Sequence, residues 1–306
     1  MTTMTRTFLL ALFLFLGCAS AQAQTTLPEA APEDSPGPTT QAPRESGRLD
    51  FKVDPDQYSI ISQVRGLSTH RSTYFFPATY TREYSGDHTE MVFQLSAKWR
   101  VFDTNVYLAY SQKSFWQWIN GQESSPFRET NYDPEIFYRW IPDAKKYNHW
   151  GADVGFEHES DGKGYTPPDP VTGQPTNLSR SWNRVYLAAF QAKGKGLAYL
   201  KFWYRIPEDE ASSPTNQAGD DNPDIEDFLG YGDFTYSRQI GGDQLLTALV
   251  RGNPTTNKGA IQVTWSVPSN NHSVFWAASV FNGYGESLTF YNRSITRVML
   301  GIMLAR

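Results

Sequence analysis

Apolar and polar side chains alternate along most of this chain. Between Glu90 and Arg100, Met91, Phe93, Leu95, Ala97 and Trp99 fall on one side of an extended backbone. Gln94, Ser96, Lys98 and Arg100 fall on the other. The same division runs through 197–206, where Ala198, Leu200, Phe202, Tyr204 and Ile206 oppose Lys201 and Arg205. It returns at 260–267 and in Val298, Leu300, Ile302 and Leu304 near the end. A period of two is the signature of a strand with two unlike faces. Read this way, the pattern predicts twelve strands, near 74–82, 90–100, 105–116, 131–140, 151–160, 181–190, 197–206, 227–237, 244–252, 260–267, 273–282 and 294–304.

A soluble sandwich and a membrane barrel both use such strands. They differ in strand length and in where the aromatics fall. Strands of about ten residues suffice to cross a bilayer obliquely. Trp and Tyr gather near the strand ends, where an interfacial girdle would lie. The expectation is therefore an all-β protein, a twelve-stranded antiparallel transmembrane β-barrel, with its apolar face toward lipid and its charges inside. Closure would also remove unpaired strand edges.

The N-terminus fits export. Arg6, the apolar run Thr7–Gly17 and the small-residue stretch Ala19–Ala23 read as a signal peptide over 1–21, cleaved after Ala21 or Ala23. Acylation at Cys18 is the alternative, with Phe15 standing where a lipobox has leucine. Residues 22–54 are rich in Pro, Thr, Ala, Glu and Ser and read as a flexible periplasmic leader, leaving 55–306 as the barrel. Cys18 is the only cysteine, so ordinary cleavage excludes disulfides, a thiol nucleophile and a zinc–cysteine site. A net charge of -5 with no basic stripe argues against nucleic-acid binding.

The segment Val154–Ser160 changes the picture. Side chains at i and i+2 share a face. Val154 and Phe156 therefore carry His158 and Ser160 with them to the lipid side, while Asp153, Glu157 and Glu159 point inward. In the next strand Asn183 lies with Val185 and Leu187, and Arg184 turns inward as a partner for Glu157 or Glu159. Polar groups facing lipid are costly unless they bond one another. The three Cα positions suit a nucleophile, a base and an orienting group: His158 and Ser160 stand about 7 Å apart along a strand, and Asn183 reaches from its neighbour. Taken alone, His-x-Ser is a weak signal, more often structural than catalytic.

Three stretches resemble the outer-membrane phospholipase A family. They are Tyr110–Trp118 running into Glu123–Tyr132, His158–Gly162 continued by Ser179–Arg184, and Gly283–Leu288 with Thr296–Val298; Asp220–Ile225 adds a fourth. The resemblance implies a barrel in the Gram-negative outer membrane that hydrolyses phospholipid acyl esters with calcium and acts as a homodimer. It implies Ser160 as nucleophile, His158 as general base, Asn183 as the residue orienting His158, and the Gly162 amide as oxyanion donor. It implies calcium held by Ser179, by the Lys163 carbonyl (the family has Arg there) and by the partner subunit's Ser124. Gln112 belongs to the polar part of the dimer contact. Residues 164–178 are longer than the family's loop and are expected to bulge outward. Asp220, Asp221 and Asp224 suit a solvated turn better than a second calcium site. His70, His88, His149 and His272 have no metal spacing and receive no role. The rival readings are a passive small barrel, porin or structural, and an adhesion barrel acting through its loops. Against an open pore stand the inward charges Lys98, Arg100, Glu135, Arg139, Glu157, Arg184, Lys201 and Arg205, enough to knit a small lumen shut.

Overall fold

The structure, a computed structural model, describes residues 67–142, 150–208, 211, 213, 219–241, 243–270 and 274–306. The signal and leader segments, Cys18, the first residues of the expected barrel domain, His149 and His272 lie outside the described residues.

Twelve long strands form the wall: β2 (Thr73–Tyr80), β3 (Met91–Arg100), β4 (Val106–Trp116), β5 (Phe127–Trp140), β6 (Trp150–Ser160) and β7 (Ser181–Lys193), then β8 (Gly196–Ile206), β9 (Gly232–Gly241), β10 (Gln244–Asn253), β11 (Lys258–Pro268), β12 (Phe275–Gly283) and β13 (Ile295–Ala305). Every neighbour pair is antiparallel, and pairings of β13 with β2 and of β3 with both β2 and β4 close the ring. A two-residue strand β1 (Leu67–Ser68) pairs with the lower end of β3. The expected all-β barrel is what forms.

The alternation sorts as expected. Val154, Phe156, Val185, Leu187, Leu200, Phe202, Val298 and Leu300 are exposed on the outer wall. Trp99, Trp140, Trp150 and Trp276 ring its lower rim, with Phe127 and Tyr204 higher up. Inside, Asp153, Glu157, Arg184, Lys201 and Arg297 are buried.

One expected strand is partly wrong. The stretch 227–237 begins not as strand but within a short helix, α1 (Ile225–Leu229), and β9 starts only at Gly232. Ile225, Phe228 and Leu229 sit at i, i+3 and i+4, a helical spacing. All three are buried against Trp182, Trp203, Leu288 and Tyr291 in the barrel mouth.

The lumen is cross-linked by charge. Glu157 accepts from Arg71 and Lys201 (both 2.6 Å) and from Arg184 (3.0 Å). Arg71 also reaches Asp133 (2.6 Å), and His70 reaches Glu135 (2.8 Å) while stacking on Phe137. The Arg71 N–H also donates to Ser96 Oγ (2.9 Å), so the chain just before β2 enters the barrel and is tied to β3, β5 and β6. Higher up, Arg297 joins Glu90 (2.8 Å) and Glu286 (2.6 Å) with no exposure of its side chain.

Candidate active site on the outer wall

β6 and β7 run in register, so His158 lies directly opposite Asn183 and Ser160 opposite Ser181. On its other side Ser160 pairs with Tyr132 of β5. His158, Ser160 and Asn183 are all half-buried on the outer wall. His158 Nδ1 and Asn183 Oδ1 are 2.9 Å apart. An amide oxygen can only accept, so Nδ1 is the donor of this pair, and in the neutral ring the accepting nitrogen is Nε2. Among the described residues no hydrogen bond joins Ser160 to His158. The serine Oγ turns freely about one bond, and such contacts are often loose until substrate binds.

The opposite face of the same residues is occupied. Glu159 accepts from Trp182 Nε1 (2.9 Å) and Arg184 (3.0 Å), and the Arg184 guanidinium lies 3.8 Å from the Trp182 ring centroid. The strand carrying the His and Ser is therefore pinned from within. Gly155, two residues before Glu157, lets the Phe137 and Tyr186 side chains close in; a Cβ there would meet them at 2.7 Å.

Beyond Ser160 the backbone turns. Gly162 adopts φ +65, a conformation that L side chains rarely take, and the Tyr132 ring lies against it. Asp161, to which sequence reasoning assigned no role, is buried and accepts from the backbone of Lys163 and Arg180. Burial pushes its carboxyl above the ordinary aspartate range, opposed by those donors and by Thr289. The only local signal was an Asp before a Gly, which marks a turn and nothing more.

The insertion folds as a hairpin of its own. Leu178 N–H donates to Gly164 O (3.2 Å), Tyr165 pairs with Asn177, and Thr166 N–H donates to Thr176 O (2.9 Å). Asp169 is exposed at the tip, accepting from Val171 and Thr172, which holds its carboxyl below the usual range. The two ends of the insertion are thus clasped, and Lys163 and Ser179 flank its base.

Ser179 Oγ donates to Asp221 Oδ2 (2.5 Å), whose Oδ1 accepts from Asn177 (2.7 Å). A hydroxyl that donates keeps its lone pairs for a cation, and a carboxylate stands beside it. No hydrogen bond among the described residues ends on the Lys163 carbonyl. Ser124 sits in the 117–126 connection at φ 58 and makes no hydrogen bond to Lys163 or Ser179. All of these donors are oxygen, the chemistry that calcium selects. Asp220 and Asp224 go elsewhere, to Arg205 (2.6 Å) and to the Tyr291 hydroxyl. Among the described residues the one close carboxylate group is Asp133, Glu135 and Glu157 in the lumen, already paired to Arg71, His70, Arg184 and Lys201.

Gln112 lies on the outer wall facing Tyr132 of β5. Its Oε1 accepts from Tyr110 (3.1 Å) and its Nε2 donates to Ser114 (3.3 Å), continuing to Thr130 (3.0 Å). A polar band thus runs over β4 and β5 on the outer wall, in the row where Gln112 faces Tyr132 and Tyr132 faces Ser160.

Residues 43–304 match the phospholipase A1 family. The chain belongs to the phospholipase A1 family. Phospholipase A1 of Escherichia coli K12 is 36% identical over 259 residues, 81% of this chain and 78% of that one. The Proteus vulgaris enzyme is 34% identical over 235 residues, 74% and 73%. The outer membrane phospholipase A of E. coli superimposes with a TM-score of 0.64 at 32% identity, covering 78% of this chain and 98% of that one. The Salmonella typhi enzyme, solved as a dimer with bound calcium, gives 0.64 at 31%, covering 79% and 93%. An active-site variant of the E. coli enzyme with asparagine changed to alanine gives 0.63 at 31%, covering 78% and 91%.

Proposed function

We propose that this protein hydrolyses acyl esters of phospholipids and lysophospholipids in the Gram-negative outer membrane, with Ser160 as nucleophile, in a calcium-dependent homodimer. That it is a phospholipase ester hydrolase follows from its family. The observation that carries the reading of the site is the 2.9 Å contact of His158 with Asn183 on the lipid-facing wall, two residues from Ser160; calcium and the dimer are supported by the Salmonella typhi relative, solved as a dimer with bound calcium. The asparagine in the active site of the E. coli relative supports it.

Asn183 holds the Nδ1–H tautomer, so Nε2 accepts the Ser160 proton as Oγ attacks the ester carbonyl. The carbonyl oxygen takes up negative charge and is met by the Gly162 N–H. His158 then returns the proton to the leaving lysolipid oxygen, and a water, deprotonated by the same nitrogen, releases the fatty acid from Ser160. A neutral Asn orients the ring but stabilises imidazolium less than a carboxylate. Apolar outer-wall side chains let an acyl chain lie against the barrel without leaving the bilayer.

Ser179 Oγ, the Lys163 carbonyl and the partner subunit's Ser124 would hold calcium, which would supply positive charge beside the developing oxyanion. Because one donor comes from the second copy, the monomer's site is incomplete, and activity follows dimerisation. Gln112 and its polar band supply the contact. A signal peptide over 1–21 exports the chain, and the apolar outer wall of the barrel suits it to insertion in the outer membrane.

The test is Ser160→Ala assayed on mixed micelles, with calcium present and chelated. Loss of nearly all calcium-dependent fatty-acid release, with the barrel still folded, is expected. Unchanged release would remove Ser160 from the site and favour a passive barrel.

A further inference from the structure

Asp161 lies between the proposed nucleophile and the proposed oxyanion glycine, yet its carboxylate is turned to the Lys163 and Arg180 backbone and to Thr289. Its residue is 4% exposed. One carboxylate oxygen accepts two backbone N–H groups, from Lys163 (3.1 Å) and from Arg180 (3.1 Å). The other accepts the Thr289 hydroxyl (2.8 Å). The Asp161 N–H itself donates to Arg180 O (3.0 Å). Thr289 is fixed in turn, its N–H donating to Glu129 Oε1 (2.7 Å), which also accepts from Asn131 (2.7 Å).

The Lys163 contact spans i to i+2 and closes an Asx turn around Gly162. That turn sets the direction of the Gly162 N–H. Arg180 ties the turn to the start of β7, and Thr289 ties it to the 284–294 connection on the far side of the mouth. We propose that Asp161 is a positioning residue of the hydrolase site: it holds the 161–163 turn so that the Gly162 N–H points where the oxyanion forms. The inference rests on the reading of Ser160 as nucleophile. Oxyanion donors work only when aimed in advance, and losing one lowers turnover by about 10²–10³. Freeing the turn misaims the donor without touching the ground-state lipid, so kcat falls and KM stays.

Acceptance, not charge, is what the turn uses. In Asp161→Asn the amide oxygen can still accept both N–H groups, and its NH2 can donate to Thr289 Oγ. The experiment compares Asp161→Ala, Asp161→Asn, Thr289→Val and Ser160→Ala in purified, folded barrels on mixed micelles. The expected result for Asp161→Ala is a kcat about 30–100-fold lower with KM within about twofold. Asp161→Asn is expected to return kcat to within about fivefold of the parent, and Thr289→Val to lower it about threefold at constant KM. Equal loss in Asn and Ala, or full kcat in Asp161→Ala, overturns the proposal while Ser160→Ala stays inactive. If Asp161→Ala does not fold, a poorly active Asn variant beside a fully active Thr289→Val overturns it equally. An active Ser160→Ala sinks the hydrolase reading itself, and this inference with it.

Discussion

The two faces of β6 and β7 are built on opposite principles. Inward, Glu157 meets three cations and Glu159 meets an arginine and an indole, so each carboxylate has its charge answered. Outward, on alternate residues of the same strands, His158 has Asn183 and little else, and Ser160 has no hydrogen bond to His158. The inner face is where the sheet is held. The outer face carries groups kept available for chemistry. A barrel can separate the two because alternation sends neighbours to opposite solvents. Residues adjacent in sequence should therefore give mutants of opposite kinds.

The sharpest test is Ser160→Ala, expected to lower turnover by about 10⁴-fold or more while leaving the heat-unfolding midpoint in detergent unchanged. A variant that melts early would show the outer face to be structural. Next, Glu157→Ala takes Lys201's ion-pair partner and one of the partners of Arg71 and Arg184 in the lumen; a loss of about 3–5 kcal/mol in unfolding free energy is expected, read by denaturant titration of the refolded barrel. Full stability there would mean that the inner network holds nothing. Asn183→Ala should fall between, with kcat down about 10–100-fold and stability within about 1 kcal/mol, since it orients and does not react. Severity equal to Ser160→Ala would overturn that division of roles. The smallest effect belongs to the insertion: replacing 166–176 by a short Gly-Ser link should change calcium-dependent turnover by less than about threefold, because its ends are clasped at Gly164 and Leu178. A large loss would show that the hairpin takes part in calcium binding or dimer contact.

Strand positions and faces were legible because they depend only on i and i+2. Met91 to Arg100 sorts its side chains correctly whatever the rest of the chain does. The outward placement of His158, Ser160 and Asn183, and the inward placement of Glu157 and Arg184, follow from the same local rule. Where local periodicity was ambiguous, reading failed: Ile225–Leu229 packs as a helix because the barrel mouth offers its apolar face a core. The calcium residues entered through family resemblance, and periodicity was silent on them.

Tertiary structure alone decided which distant groups complete the site. Arg71 and Glu157 are 86 residues apart and Asp161 and Thr289 are 128 apart. Neither pair leaves a mark on local pattern, since each contact exists only once the sheet has closed and the connections have folded into the mouth. The chain by itself determined that strands form, which side faces lipid, and that a His, a Ser and an Asn share it. Ring closure determined what stands behind them: an ion-paired lumen around Glu157 and a buried carboxylate at Asp161 clasping the turn of Gly162. Periodicity is written residue by residue, whereas contact across a barrel is a property of the whole ring.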